Sequence, residues 1–263
     1  MKTALTIAGS DPTGGAGLQM DLRVFHHFGV HGLSAVSALT AQNTRGVTAI
    51  LGTERLFFQK QLETLLADIT PDALKTGMLY SVDAVHAVAE TIKGYGLRNL
   101  VIDPVTLSSS GASLMEAGVL NAMKKELFPL AKAITPNIHE AAFLSGIKAG
   151  GKEDLEKIAV ALKGLGPDTV IITGGHLDLL AELGDDTAET MELVYDGRTF
   201  HRISGKKIKG EYHGTGCAFS AAITALLALE TPLIDSVQRA KEFVDKAIGN
   251  ALSLGSGMKL LNV

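Results

Sequence analysis

Only one cysteine, Cys217, occurs in the 263 residues, so no disulfide can close within the chain, and a reducing compartment suits it. No stretch approaches the roughly 20 uninterrupted apolar residues of a membrane helix. The apolar part of the opening MKTALTIAGSD is too short for a secretory signal and lacks its flanks, so cytoplasmic residence is expected. Positive charge is scarce as well: the net charge is −4, with no basic tail or stripe, which leaves nucleic-acid binding without an electrostatic footprint. The densest basic spot is Lys206, Lys207 and Lys209. Neither G-x-G-x-x-G nor a Walker A loop is present, and the eight histidines follow no metal-ligand spacing.

What is present suits a single α/β domain over 1–263. Hydrophobic residues make up 46% and charged residues 20%, enough for a large core. The 29 glycines fall in short clusters between apolar segments, as turns and close backbone approaches require. Residues 3–8 read as a strand, and Leu18, Leu22, Phe25 and Phe28 recur at helical spacing after the loop GSDPTGGAG. Strands are expected at 34–39, 47–51, 73–79, 99–105, 133–137 and 169–175. Helices are expected from Leu56 to Leu66, from Ser81 as cap to Ile92, near Leu114–Leu127, at Ile138–Ser145, from about Glu153 to Leu165, from Gly214 to Leu229 and from Asp235 to Leu254. Residues 178–190 are acidic and aperiodic, a surface insertion, and 191–204 form a hairpin turning at Asp196-Gly197. With no internal repeat and no linker, this alternation predicts a mostly parallel, doubly wound sheet covered by helices on both faces.

In such sheets ligands bind beyond the carboxyl ends of the strands. Five loops are placed there: 9–17, 40–44, 103–111, 135–140 and 213–217. Asp11 and Asp21 flank the first, where a turn residue and an exposed helix position would explain them equally well. In HGTGC, glycines precede a strongly helical run, which leaves free backbone N–H groups at a helix N-terminus, able to cradle phosphoryl oxygens. Cys217 falls in that first turn, where a thiol is pulled below its free value of about 8.5; the alternative is a small buried hydrophobe. Asp103 ends a strand, and Asn137 and Glu140 open a helix on one face. Together they supply hard oxygen ligands for magnesium, although a capping box explains the same pair.

The segments ALTIAGSDPTGGAG, LTAQNTRGV, LKTGML, VIDPV, ITPNIHEA, ITGGHL and HGTGCAFSAA occur in this order over nearly the whole chain. In this the sequence resembles the hydroxymethylpyrimidine/phosphomethylpyrimidine kinases, with bacterial pyridoxal kinases sharing most of the segments. The resemblance implies a ribokinase-like fold, a homodimer, and transfer from ATP with Mg2+ to a small pyrimidine and then to its monophosphate, on the way to thiamin. It implies Cys217 as the base and Gly214 and Gly216 in the anion hole. It further implies Asn137, Glu140 and Asp103 at the metal and phosphates, with Thr173 and Gly175 beside the nucleotide. The pyrimidine pocket is implied at Gly9, Asp21, Gln42, Met78 and Val105. The amide of Gln42 can both donate to and accept from a ring edge, and Met78 offers a polarizable surface to its face.

Three positions depart from the family, where many members carry lysine: Ser109, Thr173 and Ser256. A slower second phosphorylation is the expected consequence. Pyridoxal kinase is the rival enzyme reading, with TGGH in its favour and Gln42 against it. A non-catalytic binder of a thiamin precursor is the rival from another class. Against it, Asp103, Asn137, Glu140 and Cys217 are all retained.

Overall fold

The computed structural model describes residues 1–106, 111, 113–174 and 189–263. A nine-stranded sheet runs in the order β3-β2-β1-β4-β5-β6-β7-β8-β9. Its six central strands are parallel: β2 (His31–Asn43), β1 (Thr3–Ser10), β4 (Ala73–Thr76), β5 (Leu100–Ile102), β6 (Ala133–Ile134) and β7 (Val170–Ile172). Antiparallel strands close the two edges: β3 (Gly46–Gly52) on one side and the hairpin β8 (Glu189–Tyr195) with β9 (Phe200–Lys206) on the other. The chain passes from β1 left to β2 and later crosses back to β4 on the other side of β1. This reversal opens a crevice at the carboxyl ends of β1 and β4.

Alternation along the central strands buries both faces. Leu5, Ile7, Leu100, Ile102, Val170 and Ile172 face one core, under α2 (Arg55–Leu66), α3 (Val82–Tyr95), α5 (Ile138–Ser145) and α6 (Lys152–Lys163). Ala4, Val101, Ala133 and Ile171 face the other, under α1 (Gly17–His27), α7 (Thr215–Ala228) and α8 (Leu233–Gly249). Ser81 caps α3 by accepting from the Ala84 amide, and Asp196 tightens the β8–β9 turn by accepting from the amides of Arg198 and Thr199. The doubly wound expectation therefore matches the observed architecture.

Three local expectations differ. The helix expected near Leu114–Leu127 starts at α4 (Val119–Ala122), after Gly118 at φ +90°, and continues in a wider turn through Leu127. The last helix ends at Gly249 rather than Leu254. Beyond it β11 (Lys259–Leu260) pairs in parallel with β10 (Tyr212–His213), a two-residue pairing too short to show a period. Thr40–Asn43, expected as a loop, extend β2, with Gln42 opposite Val47 across a register shift. Most of the acidic stretch 178–190, with Ser109 and Gly175, lies outside the described residues.

Candidate active site

Two glycine loops interlock at the crevice. After β1 the chain is turned by Asp11, whose carboxylate accepts from the Thr13 and Ala16 amides and the Thr13 hydroxyl. Gly17 has φ +59°, and a Cβ there would collide with the Gly9 carbonyl oxygen. Gly214, the N-cap of α7 at φ +82°, is pressed in the same way against the Gly15 carbonyl. Backbone thus rests on backbone, and no side chain caps α7. Its first-turn amides carry the roughly half positive charge of a helix end.

Beside this end lies an apolar platform. A Cβ on Gly9 would come within 2.9 Å of Met78 Sδ, and Met78 packs with Ala38 and Leu114 in a small cluster joined by Val105 and Tyr80. The Gln42 amide reaches the same place from β2, 2.8 Å from His213 Nε2. Gly9, Met78 and Val105 are thus brought together, and Gln42 stands on the side of the crevice that carries His213. Asp21 is placed differently: it is fully buried beneath the platform, bound to Lys75 Nζ at 2.8 and 2.9 Å and to the Thr6 hydroxyl. Neither an exposed helix position nor a direct face of the pocket describes it.

Lys75, inside the segment LKTGML, was not singled out by sequence reasoning. It is completely buried, with its ammonium 4.0 Å from Asp103 Oδ2 as well as on Asp21. Burial alone would lower its pKa, but Asp21, Cys217 and Asp103 more than offset that and hold it above the usual lysine value. A positive charge is thus fixed under the pocket floor. Asp103 accepts from the Ser220 hydroxyl at 3.0 Å, and burial raises its pKa against the pull of Lys75.

The thiol corrects an expectation. Cys217 sits in the first turn of α7, yet burial pushes it up to about 12; Lys75 pulls the other way, while Asp103 and Asp21 add to the rise. Its residue surface stays partly open, but the protein around the sulfur outweighs the helix end. Cys217 therefore rests as a thiol, not as the partly ionised group expected from its place on a helix.

Asn137 and Glu140 form the full capping box of α5: the Asn137 side chain accepts from the Glu140 amide, and Glu140 accepts from the Asn137 amide at 3.0 Å. The second oxygen of Glu140 accepts from the Thr106 amide at 3.1 Å. Burial first, then facing Asp103, pushes the Glu140 carboxyl up to about 7. Two buried carboxyls whose pKa values are both raised, that of Glu140 in part by Asp103, suit with Asn137 a hard cation that completes its shell with water and phosphate oxygens. Among the described residues no group of three His, Cys, Asp or Glu side chains forms a metal cluster, so a fully protein-built cage is absent there. Thr173 bridges to Asn137 from the end of β7, and the Gly174 amide donates to the buried Glu192. Ser256 accepts from Arg45 Nε at 2.8 Å, which brings a guanidinium to one of the three positions lacking lysine.

Comparison with known proteins agrees with this geometry. The profile of the phosphomethylpyrimidine kinase family matches residues 11–262. The hydroxymethylpyrimidine/phosphomethylpyrimidine kinase of Bacillus subtilis is 40% identical, over 97% of this chain and 92% of that one. The thiamine biosynthesis bifunctional protein of Geobacter sulfurreducens is 41% identical over 97% of this chain, which spans about half (51%) of that longer relative. A Bacillus subtilis pyridoxal kinase, solved as an ADP complex, superposes with a TM-score of 0.88 at 35% identity, covering 100% of this chain and 97% of that one. The fold is therefore ribokinase-like, and the chain belongs to the phosphomethylpyrimidine kinase family.

Proposed function

We propose that this member of the phosphomethylpyrimidine kinase family transfers the terminal phosphoryl group of ATP to hydroxymethylpyrimidine, and a second one to the resulting monophosphate, as a step in thiamin biosynthesis. One observation carries the reading: the uncapped N-terminus of α7 stands beside a platform of Met78 and Val105 edged by the Gln42 amide. A flat heterocycle on that platform, read at its edge by Gln42, would present its hydroxymethyl group to the helix end.

Phosphoryl transfer depends mostly on positioning and charge stabilisation. Gly214 and Gly216 hold the transferring oxygens with backbone N–H groups, and Lys75 supplies positive charge from below. Asp103, Glu140 and Asn137 would hold Mg2+, which screens the triphosphate charge when bound. Cys217 accepts the hydroxyl proton, for which its own proton must first leave. The need for a base arises late in a loose transition state, so a sparse thiolate suffices, at the cost of a rate that climbs with pH. The nucleotide lies toward Asn137 and Thr173. The active unit is a homodimer in the cytoplasm.

A coupled ADP-release assay on hydroxymethylpyrimidine, its monophosphate and pyridoxal tests the reading. The pyrimidine is expected to have the higher kcat/KM, and a higher value for pyridoxal under the same conditions would refute it.

A further inference from the structure

The contact between Gln42 and His213 holds a proton puzzle whose solution gives His213 a role. His213 is 5% exposed and Asp11 3%. His213 Nε2 lies 2.8 Å from Asp11 Oδ2 and also 2.8 Å from the Gln42 amide, with the amide nitrogen on that side. Asp11 already accepts from the Thr13 amide, the Thr13 hydroxyl and the Ala16 amide. Such a carboxylate is ionised and purely an acceptor, so the hydrogen between it and the ring belongs to Nε2. Burial opposes ionisation here, but the bonds from His213 and Thr13 win and hold the Asp11 pKa below its ordinary value.

A ring nitrogen that carries hydrogen has no lone pair for an amide N–H. The two ends of a carboxamide have the same shape, and hydrogen-bond accounting decides between them. The far end of the amide gives an independent check. Thr40 Oγ1 lies 2.8 Å from the Ser10 carbonyl and 3.3 Å from Gln42. Its single hydrogen goes to the nearer carbonyl, so toward Gln42 it can only accept. Both neighbours demand the same orientation, with Oε1 toward His213, sharing the single Nε2 hydrogen with Asp11 Oδ2 in a three-centre bond, and Nε2 toward Thr40. Nδ1 of His213 is buried with no hydrogen-bond partner among the described residues, which fits a bare lone pair better than an orphaned N–H. The ring packs closely on the Gly15 backbone, where an added Cβ would come within 2.7 Å of its Cδ2.

We propose that His213, locked by Asp11, is a positioning residue for acceptor recognition: with Thr40 it fixes the Gln42 amide in one orientation and so sets the order of donor and acceptor shown to the ligand. One amide N–H and one carbonyl lone pair remain free for the pocket. An aminopyrimidine presents an amine beside a ring nitrogen, a donor next to an acceptor, and a fixed amide reads that pair in one order only. What Gln42 meets rests on the pyrimidine-kinase reading; the orientation of the amide does not.

Two measurements test the proposal. His213→Phe keeps the ring volume but removes the donor. It is expected to raise KM for hydroxymethylpyrimidine by roughly 10–100-fold, the usual loss for one buried partner, with KM for ATP changed less than about threefold. His213→Gln, whose amide nitrogen can still donate, should recover most of the loss. Thr40→Val, on the far side of the amide from the phosphate loop, should give the same KM signature. Equal rises in both KM values, or no rise in either, overturn the proposal. The second measurement is nitrogen-15 NMR on histidine-labelled protein, with the His213→Phe spectrum as the assignment: Nε2 must carry the hydrogen and Nδ1 must not. The opposite tautomer refutes the inference whatever the substrate. Failure of the wild type to phosphorylate the pyrimidine would instead strike the functional reading and leave the tautomer result standing.

Discussion

Replacing Cys217 with alanine separates the proton acceptor from the phosphate cradle, because the cradle is built from backbone N–H groups that the change leaves in place. The size of the effect follows from the thiol. Held up to about 12, it is ionised in only about one molecule in 10⁴ to 10⁵ near pH 7.5, and the ionised share rises tenfold with each pH unit. If the thiolate takes the substrate proton, kcat/KM, which reports groups of the free enzyme, should climb about tenfold per unit from pH 7 to 9 without a plateau. The alanine variant should show a flat profile over the same range. The gap between the two should then be on the order of 10²–10⁴ at pH 9, the usual range for a lost general base, and narrow steadily toward neutrality. ADP release followed across this range, with saturating ATP and Mg2+, gives the comparison. Because the chain has one cysteine, the pH profile of iodoacetamide alkylation, read by intact mass, reports the same thiol with no competing site. A plateau in kcat/KM near pH 8 would contradict the buried-thiol account. An alanine variant with near-normal turnover at pH 9 would end the base assignment and leave the helix end as the main catalyst.

Other expectations are simpler to state. Gln42→Met should cost about 1–3 kcal/mol of pyrimidine binding, because polar atoms on the ring would lose their partner; calorimetric titration measures it. Lys75→Met should destabilise by about 3–5 kcal/mol in urea unfolding, since it strands the buried Asp21 carboxyl without its partner, and adding Asp21→Asn should restore much of the loss. Glu192, buried beside Lys241, has its carboxyl pushed up to about 7 mainly by burial. A folded value above the unfolded one of about 4.5 means the native state holds this proton more tightly, so stability should fall by up to roughly 3 kcal/mol as pH rises from about 4.5 to 7. Glu192→Gln should flatten that part of the profile, and an unchanged slope would remove Glu192 as its source. Ser256→Lys should raise turnover of the phosphorylated acceptor relative to the first step, because an added cation matters most where two phosphates meet; an unchanged ratio in single-turnover assays would show that Arg45 already serves there.

Much of the architecture could be read locally. TALTIA, NLVIDPV and TVIITGG are apolar runs bounded by glycine, proline or acid, and each became a central strand because such runs can be buried on both faces. The loop that follows the first of them opens at the crevice, where a parallel sheet places its ligand loops. What escaped depends on partners far away in sequence. Lys75 looks like one polar residue in a short strand, and only Asp21, 54 positions earlier, and Asp103 explain why it is inside. Asp21 could be read as an exposed helix position or as pocket lining, and only its bond to the buried Lys75 shows where it sits. For Cys217 the helix end is local and legible, whereas burial, the alternative left open, depends on distant residues and decides the outcome. His213 opens HGTGC, but nothing in the sequence ties it to Gln42, 171 positions away.

The pairing of β10 with β11 has a mechanical meaning. Just before β11, the Met258 amide donates to the Thr44 carbonyl, and the Gly257 amide to the Thr44 hydroxyl. A Cβ on Gly255 or Gly257 would collide with Thr44. One end of this short segment therefore grips the turn that follows Gln42, and the other grips the strand that leads into Gly214. The part of the pocket that recognises the acceptor and the part that handles phosphate are coupled like two jaws on one spring. Damage to this clasp from residue 255 onward should blur substrate choice and slow transfer together.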